Sequence, residues 1–230
     1  MVTWSDWAEQ GLVDEYEVPA DKITVIPPGV IVQDWQRPLS SSISPDEQSP
    51  LKILFVGGQF ERKGGFVLLE AYRRLRYRLA REDGVETAVE LHLVTKDKID
   101  AEPGIFIYND MKPNSPALKA LFHSSHIFCL PTFGDCLPMV LSGAGASGMP
   151  LVSTNVAAIP EIVRDDYSGL LVAPGDAAEL ENALYQLVSQ PRMRHQLAQN
   201  AQALVLQKYD AAQNAAELFA LLKRVIDAAR

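Results

Sequence analysis

From Leu51 onward the chain switches between two periodicities. The short apolar runs "LKILFVGG", "VELHLVT", "GIFIY", "IFCLP", "PLVST" and "GLLVAP" alternate with stretches whose apolar residues recur every three or four positions. The runs predict strands. The stretches predict helices over Gly65 to Arg81, over "SPALKALFHSS", over a run of small residues after Asp135, at the turn "IPEIV", and from Asp176, a capping residue, to the end of the chain. Alternation of this kind predicts parallel βαβ units, and strands apolar along their whole length predict a sheet covered on both faces. The fold class is α/β. Ahead of this region, "SDWAEQGLVDEY" offers Ser5 as an N-cap and Trp7, Leu12 and Tyr16 at helical spacing, and "KITVIPPGV" predicts a strand stopped by two prolines and a glycine. Residues 37–50 lose periodicity and gain serine, proline and charge, which predicts a linker or surface loop.

Composition narrows the class. At 230 residues, 47% of them apolar, the chain can bury a large core. Its 29 acidic and 21 basic residues give a net charge of -8, which disfavours nucleic acid and anionic membranes as partners. Any phosphate site is therefore local. Two cysteines, Cys129 and Cys136, suit a reduced compartment, and the four histidines show no metal-ligand spacing. With no charged-then-apolar leader and no 18-residue apolar run, the sequence predicts a soluble, cytoplasmic protein without a membrane span.

In open parallel sheets ligands bind beyond the carboxyl ends of the strands. Three loops there hold unusual residues. "GGQFERKGG" sets Gly57, Gly58, Gly64 and Gly65 around Arg62 and Lys63; glycines admit a ligand close to the backbone, and a strand-to-helix turn offers free N–H groups to a phosphate. A glycine-rich turn with two solvated basic residues is the alternative for this loop taken alone. It matches neither G-x-G-x-x-G nor G-x-x-x-x-G-K-[ST], which disfavours a nicotinamide-binding domain and a P-loop. "YNDMKP" and "FGDCLPMVLSGAGASGMP" are the other two. In the last, Pro138 fits the first helical position, the free N–H groups of Met139 and its neighbours face the loop carrying Asp135, and the small residues from Ser142 to Ala146 allow close approach by a ligand or by a neighbouring element.

Four motifs in order, "VTWSDWAEQGL…YEVPADKITVIPPGV…W", "ILFVGGQFERKGG…LLEAY", "PTFGDCLPMVLSGAGASGMPLVSTNVAAIPEIV" and "SGLLVAPGDAAEL", resemble the C-terminal half of retaining GT-B glycosyltransferases of the glycosyl transferases group 1 family, family four. The resemblance implies a Rossmann-like donor-binding domain over residues 51–210. It also implies an acceptor-domain end and hinge over 1–36, a linker over 37–50, and a terminal helix over 211–230 that crosses to an N-terminal acceptor domain. The substrate it implies is a nucleotide-diphosphate sugar, with no cofactor and no metal. Lys63, helped by Arg62, matches the lysine on the donor pyrophosphate, and Asp135 stands where the first Glu of a Glu-x7-Glu motif meets the donor sugar. The backbone of Cys136, Leu137, Pro138 and Met139 stands where main-chain amides meet sugar hydroxyls, Val140 lies near the phosphates, and Tyr108 and Asn109 fall in the loop that frames the base.

Two departures bear on activity. The second acid of the motif is Gly143, and a frequent arginine is Gly58. Losing a charged hydrogen bond to ribose weakens binding by about 1.5–3 kcal/mol. The expectation is a sugar transferase when joined to its acceptor domain and no turnover by this chain alone. The alternative is an inactive remnant that acts as a nucleotide-sugar-binding or interaction module. Without the acceptor domain, the helix at Trp4 to Leu12 and the stripe Leu218, Leu221, Leu222, Val225 and Ile226 are expected to form an exposed apolar patch that favours self-association.

Overall fold

A computed structural model describes residues 1–37, 50–82 and 89–228. The expected linker falls almost wholly outside the described residues. The first segment holds β1 (Val2–Thr3), α1 (Asp6–Tyr16), β2 (Thr24–Val25) and α2 (Val32–Trp35). The main domain then runs β3 (Leu51–Val56), α3 (Gly65–Glu82), β4 (Val89–Val94), β5 (Ile105–Tyr108), α4 (Pro116–Ser124), β6 (Ile127–Leu130), α5 (Met139–Ala146), β7 (Leu151–Thr154), α6 (Ile159–Ile162) and β8 (Gly169–Val172). Three helices close the chain: α7 (Ala177–Ser189), α8 (Pro191–Lys208) and α9 (Ala211–Ala228).

The six main strands pair in parallel in the order β5-β4-β3-β6-β7-β8. Sequence runs outward from β3 in one direction and then outward from β6 in the other, so the order reverses between β3 and β6. Right-handed crossovers on opposite directions of travel place helices on both faces. α3 packs with α7, and α5 with α8. The central strands are accordingly buried on both sides: every residue of β6 and β7 is buried, as are Ile53, Leu54 and Phe55 of β3, whereas in β5 only Ile105 is buried and Phe106 is exposed. Tyr72 of α3 pins the outer strands by donating to the carbonyls of Val89 and Gly104, at 3.0 and 2.8 Å.

The small residues of α5 serve this packing. A Cβ on Gly145 would stand 2.7 Å from Val205 Cγ2 of α8, so the helix is glycine-rich partly because α8 lies against it. The two chain ends also meet. Val30 and Ala211 exchange backbone hydrogen bonds with the opposing segment, and a Cβ on Gly29 would lie 2.3 Å from Ala211 N. The expected strand at "KITVIPPGV" is only Thr24–Val25, because prolines 27 and 28 end the pairing with the equally short β1. Ser5 caps α1 as expected, accepting from Ala8 N, and Glu161 of α6 adds its carboxylate to the amides of Asp6 and Trp7 at 3.1 and 2.9 Å. No helix among the described residues is long and apolar enough to cross a membrane.

Candidate functional site

The loops that follow β3 and β6 touch at the point where the strand order reverses, the usual ligand crevice of an open α/β sheet. Gly64 makes the contact possible. Its φ is +75°, and a Cβ there would lie 1.8 Å from the carbonyl oxygen of Pro131, a backbone atom that cannot step aside. Phe133 N then donates to Arg62 O at 2.9 Å, and Thr132 Oγ1 donates to the same carbonyl at 3.2 Å. The Arg62 guanidinium donates to the carbonyl of Gly134 and to the side-chain oxygen of Gln59.

Held this way, Lys63 and Asp135 form an ion pair whose side chains are 15% and 19% exposed. Burial, and after it the neighbouring Arg62 charge, lower the Lys63 pKa to about 8. Sequence reading assigned the two residues to separate parts of a ligand. The structure brings them into direct contact.

α5 opens next to this pair. Pro138 is its N-cap, with ψ at 108°, and not the first helical residue expected from sequence; the helix is entered through a bond from Leu141 N to Pro138 O at 2.9 Å. Pro138 has no side-chain cap to offer. Among the described residues no hydrogen bond uses the amides of Cys136, Leu137, Met139 or Val140, so donors and the positive end of the helix dipole are open there. Cys136 is exposed, while Leu137 and Pro138 are buried.

The glycine loop contributes fewer free donors than expected. Gly57 N donates to Val94 O, Lys63 N to Gln59 O, Gly65 N to Phe60 O, and Phe60 N to the Asp97 carboxylate at 2.6 Å. The loop's folding consumes these amides, so its cations are its main offering to an anion.

Beside the pair lies a cavity of about 560 Å³ with mostly apolar walls. Gly57 and Gly58 line it from the loop after β3, Tyr108 and Asn109 from the end of β5, and Met139, Val140 and Gly143 from α5; the end of β4, helix α4 and the segment Gly29 to Trp35 also line it. The Asn109 side chain is fixed by donating to the carbonyls of Thr95 and Asp97, both at 3.0 Å. Arg62, Lys63 and Asp135 are not on the cavity wall, so the expected site residues form two adjoining groups, an ionic cradle and a roomy apolar chamber.

Trp35, Asp34 and Asp97 are site residues that sequence reasoning missed. A Cβ on Gly143 would meet the Trp35 ring at 3.4 Å, so an indole covers the position where the resemblance called for an acid. Trp35 is held by hydrogen bonds to its carbonyl from His123 Nε2 at 3.0 Å and Ser147 Oγ at 2.9 Å, and by an edge contact with Phe122. Asp34 also lines the cavity and is paired with Lys119 at 2.8 Å. The only local signal for the aromatic was a Trp following the "PPGV" stop.

Comparison with known proteins gives these features a context. The sequence profile described as glycosyl transferases group 1 matches residues 50–190, more than half of the chain. The MMP alpha-(1->4)-mannosyltransferase of Mycolicibacterium hassiacum is 28% identical over 98% of this chain and 54% of its own length. Among solved structures, a sucrose-phosphate synthase from Thermosynechococcus elongatus superimposes with a TM-score of 0.80 at 18% identity, covering 99% of this chain and 58% of that one. The HepE protein of Anabaena, solved in complex with UDP-glucose, gives 0.77 at 16% identity, with coverages of 97% and 63%. The chain thus spans about half the length of the curated relatives it matches.

Proposed function

Because this chain belongs to the glycosyl transferases group 1 family and has the Rossmann-like α/β fold of the C-terminal half of a GT-B enzyme, we propose that it is the donor-binding half of a retaining sugar transferase. Its substrate is a nucleoside diphosphate sugar, which an N-terminal acceptor domain completes into a working site. One observation carries the reading: Lys63, Arg62, Asp135 and the open amides at the start of α5 converge at the sheet's reversal point, beside a cavity large enough for a nucleoside.

In this reading the nucleoside enters the chamber between Gly57, Tyr108 and Gly143, and the diphosphate lies over Lys63 and the Met139 and Val140 amides. As the bond between sugar and diphosphate breaks, negative charge grows on the leaving oxygen. Fixed cations and N–H dipoles stabilise that charge more than the ground state, which is how such a site accelerates transfer. Asp135 acts before this. It neutralises Lys63 while the site is empty, and when a phosphate takes its place on the ammonium, the carboxylate is released to accept hydrogen bonds from the sugar hydroxyls. The free thiols of Cys129 and Cys136 support a reducing compartment, and the cytoplasm is the proposed location.

Calorimetric titration with uridine, guanosine and adenosine diphosphosugars tests the proposal. The expected result is saturable binding of at least one, with uridine tried first because HepE was solved with UDP-glucose. A folded protein that binds none of the three overturns it.

Gly143 supports a second reading, a binding module without turnover, since no carboxylate reaches the ribose from α5. Binding of a diphosphosugar without transfer, after fusion to an acceptor half, distinguishes that module from the enzyme.

A further inference from the structure

The outer strands carry a chain of polar contacts that the cradle and its cations do not use. Glu90, His92 and Val94 point to one face of β4, and the register sets His92 beside Phe106 and Val94 beside Tyr108 on β5. On that face Glu90 Oε2 lies 3.1 Å from His92 Nε2, and His92 Nδ1 lies 2.9 Å from the Tyr108 hydroxyl oxygen. Two rings run nearly parallel to the imidazole: Phe106 at 4.9 Å and 13°, and Tyr108 at 5.9 Å and 12°. His92 is only 4% exposed.

The protons on this chain can be assigned. Burial holds the His92 pKa below its ordinary value, so the ring is neutral near pH 7 and has a single N–H. A carboxylate can only accept, so that N–H is on Nε2 and points at Glu90. Nδ1 is then an acceptor, and the Tyr108 hydroxyl donates to it. Burial pushes the Tyr108 pKa up, which keeps the phenol a donor. Tyr108 is also a wall of the cavity. With its hydroxyl directed back into the sheet, what it presents to the chamber is ring.

We propose that Glu90 and His92 are positioning residues: they lock Tyr108 as an aromatic wall for the base of a bound nucleoside diphosphate. The inference rests on the donor-site reading above. Among the described residues β5 is the edge strand, and no further strand lies behind this wall. Without an acceptor at Nδ1, the phenol must leave its hydroxyl unpaired or swing it into an apolar chamber, and either outcome spoils a stacking surface.

The test measures binding of uridine, guanosine and adenosine diphosphates, and of inorganic pyrophosphate, to wild type and to folded His92→Phe, His92→Asn and Tyr108→Phe. Phenylalanine keeps the stack and removes both hydrogen bonds; the amide oxygen of asparagine stands in for Nδ1. The expected result is about fivefold weaker binding of the preferred nucleoside diphosphate for His92→Phe and for Tyr108→Phe, the scale of one neutral hydrogen bond. Pyrophosphate affinity should not change, and His92→Asn should recover most of the loss. Equal weakening of pyrophosphate, no weakening at all, or failure of asparagine to rescue overturns the inference. If His92→Phe does not fold, Tyr108→Phe against the same four ligands decides between these outcomes. Wild type that binds no nucleoside diphosphate overturns the donor reading and this one together, whereas wild-type binding that the variants leave intact overturns this one alone.

Discussion

The ammonium of Lys63 is paired with the carboxylate of Asp135, and the pair bridges the loop after β3 to the loop after β6. Each residue therefore satisfies the other when no ligand is present. A partly buried charge left alone costs far more than an exposed one, so the pairing offsets the cost of placing each side chain in a site that otherwise disfavours charge. A diphosphate competes with Asp135 for the same ammonium.

Lys63→Ala should weaken a nucleoside diphosphate more than the free nucleoside. The loss expected for a charge-assisted contact is about 1.5–3 kcal/mol, or about ten- to a hundredfold in affinity. It falls toward the upper end because the variant also leaves Asp135 unneutralised beside the phosphates. Calorimetry with both ligands checks this; equal losses for both would remove Lys63 from the phosphates.

The same lysine gives binding a pH dependence. Its pKa is lowered to about 8 by burial first and by Arg62 second. Phosphate binding draws on the charged form, so the contribution of Lys63 is fully present below about pH 8 and is lost as pH rises through it. Folding responds with the opposite sign: between about 8 and the ordinary 10.5 the unfolded chain holds the proton that the folded chain has released, so the stability contribution of this group rises with pH over that window. Titrations at pH 7 and 9 should show weaker nucleoside diphosphate binding at the higher value, while Lys63→Arg, which stays charged, should show no such drop. A flat profile for wild type would count against a lysine on the phosphates.

These two residues were legible because each stood in a loop at the carboxyl end of a strand whose apolar run was unmistakable. Their contact was not, since nothing in either loop names the other; it depends on the register of β3 with β6 and on the close approach of Gly64 to Pro131. The role of Pro138 was misplaced by one position, because its fixed φ of -71° suits an N-cap and a first helical residue alike and only ψ separates them. Trp35 closes one of the quoted motifs, but the sequence assigns it no place in the site because α2 is a single turn, too short for any periodicity. The glycine loop reads as a source of free amides, but its own tight folding uses those of Gly57, Lys63 and Gly65, a matter of hydrogen bonds that sequence pattern does not carry.

The chain ends predict self-association. Neither α1 nor α9 has a buried residue, and Trp4, Trp7, Phe219, Val225 and Ile226 are all more than half exposed. Exposed apolar faces of this kind mark contact surfaces. Sedimentation over a range of concentrations should show a reversible dimer or larger species, and Phe219→Glu with Val225→Glu should shift it toward monomer without loss of melting temperature, since neither side chain is in the core. A wild-type protein that is monomeric throughout would sink the idea.

Gly143→Glu separates the donor site from a remnant of one. The substitution replaces a poor helix former inside α5 with a good one, which favours the helix by about 0.5–1 kcal/mol. Its Cβ would meet the Trp35 ring at 3.4 Å, van der Waals contact, so the backbone accepts the residue and the indole steers the rest of the side chain. The cavity that Gly143 lines is the space open to that carboxylate. A nucleoside diphosphate seated there with its ribose near α5 would gain a charged acceptor for its hydroxyls, and binding should tighten. Inorganic pyrophosphate, which has no ribose, gains nothing and suffers the added negative charge. The expected result is therefore a rise in affinity for the nucleoside diphosphate alone, with pyrophosphate unchanged or weaker. If the folded variant binds both ligands as wild type does, the ribose does not lie against α5, and Trp35 covers a position that takes no part in holding a donor.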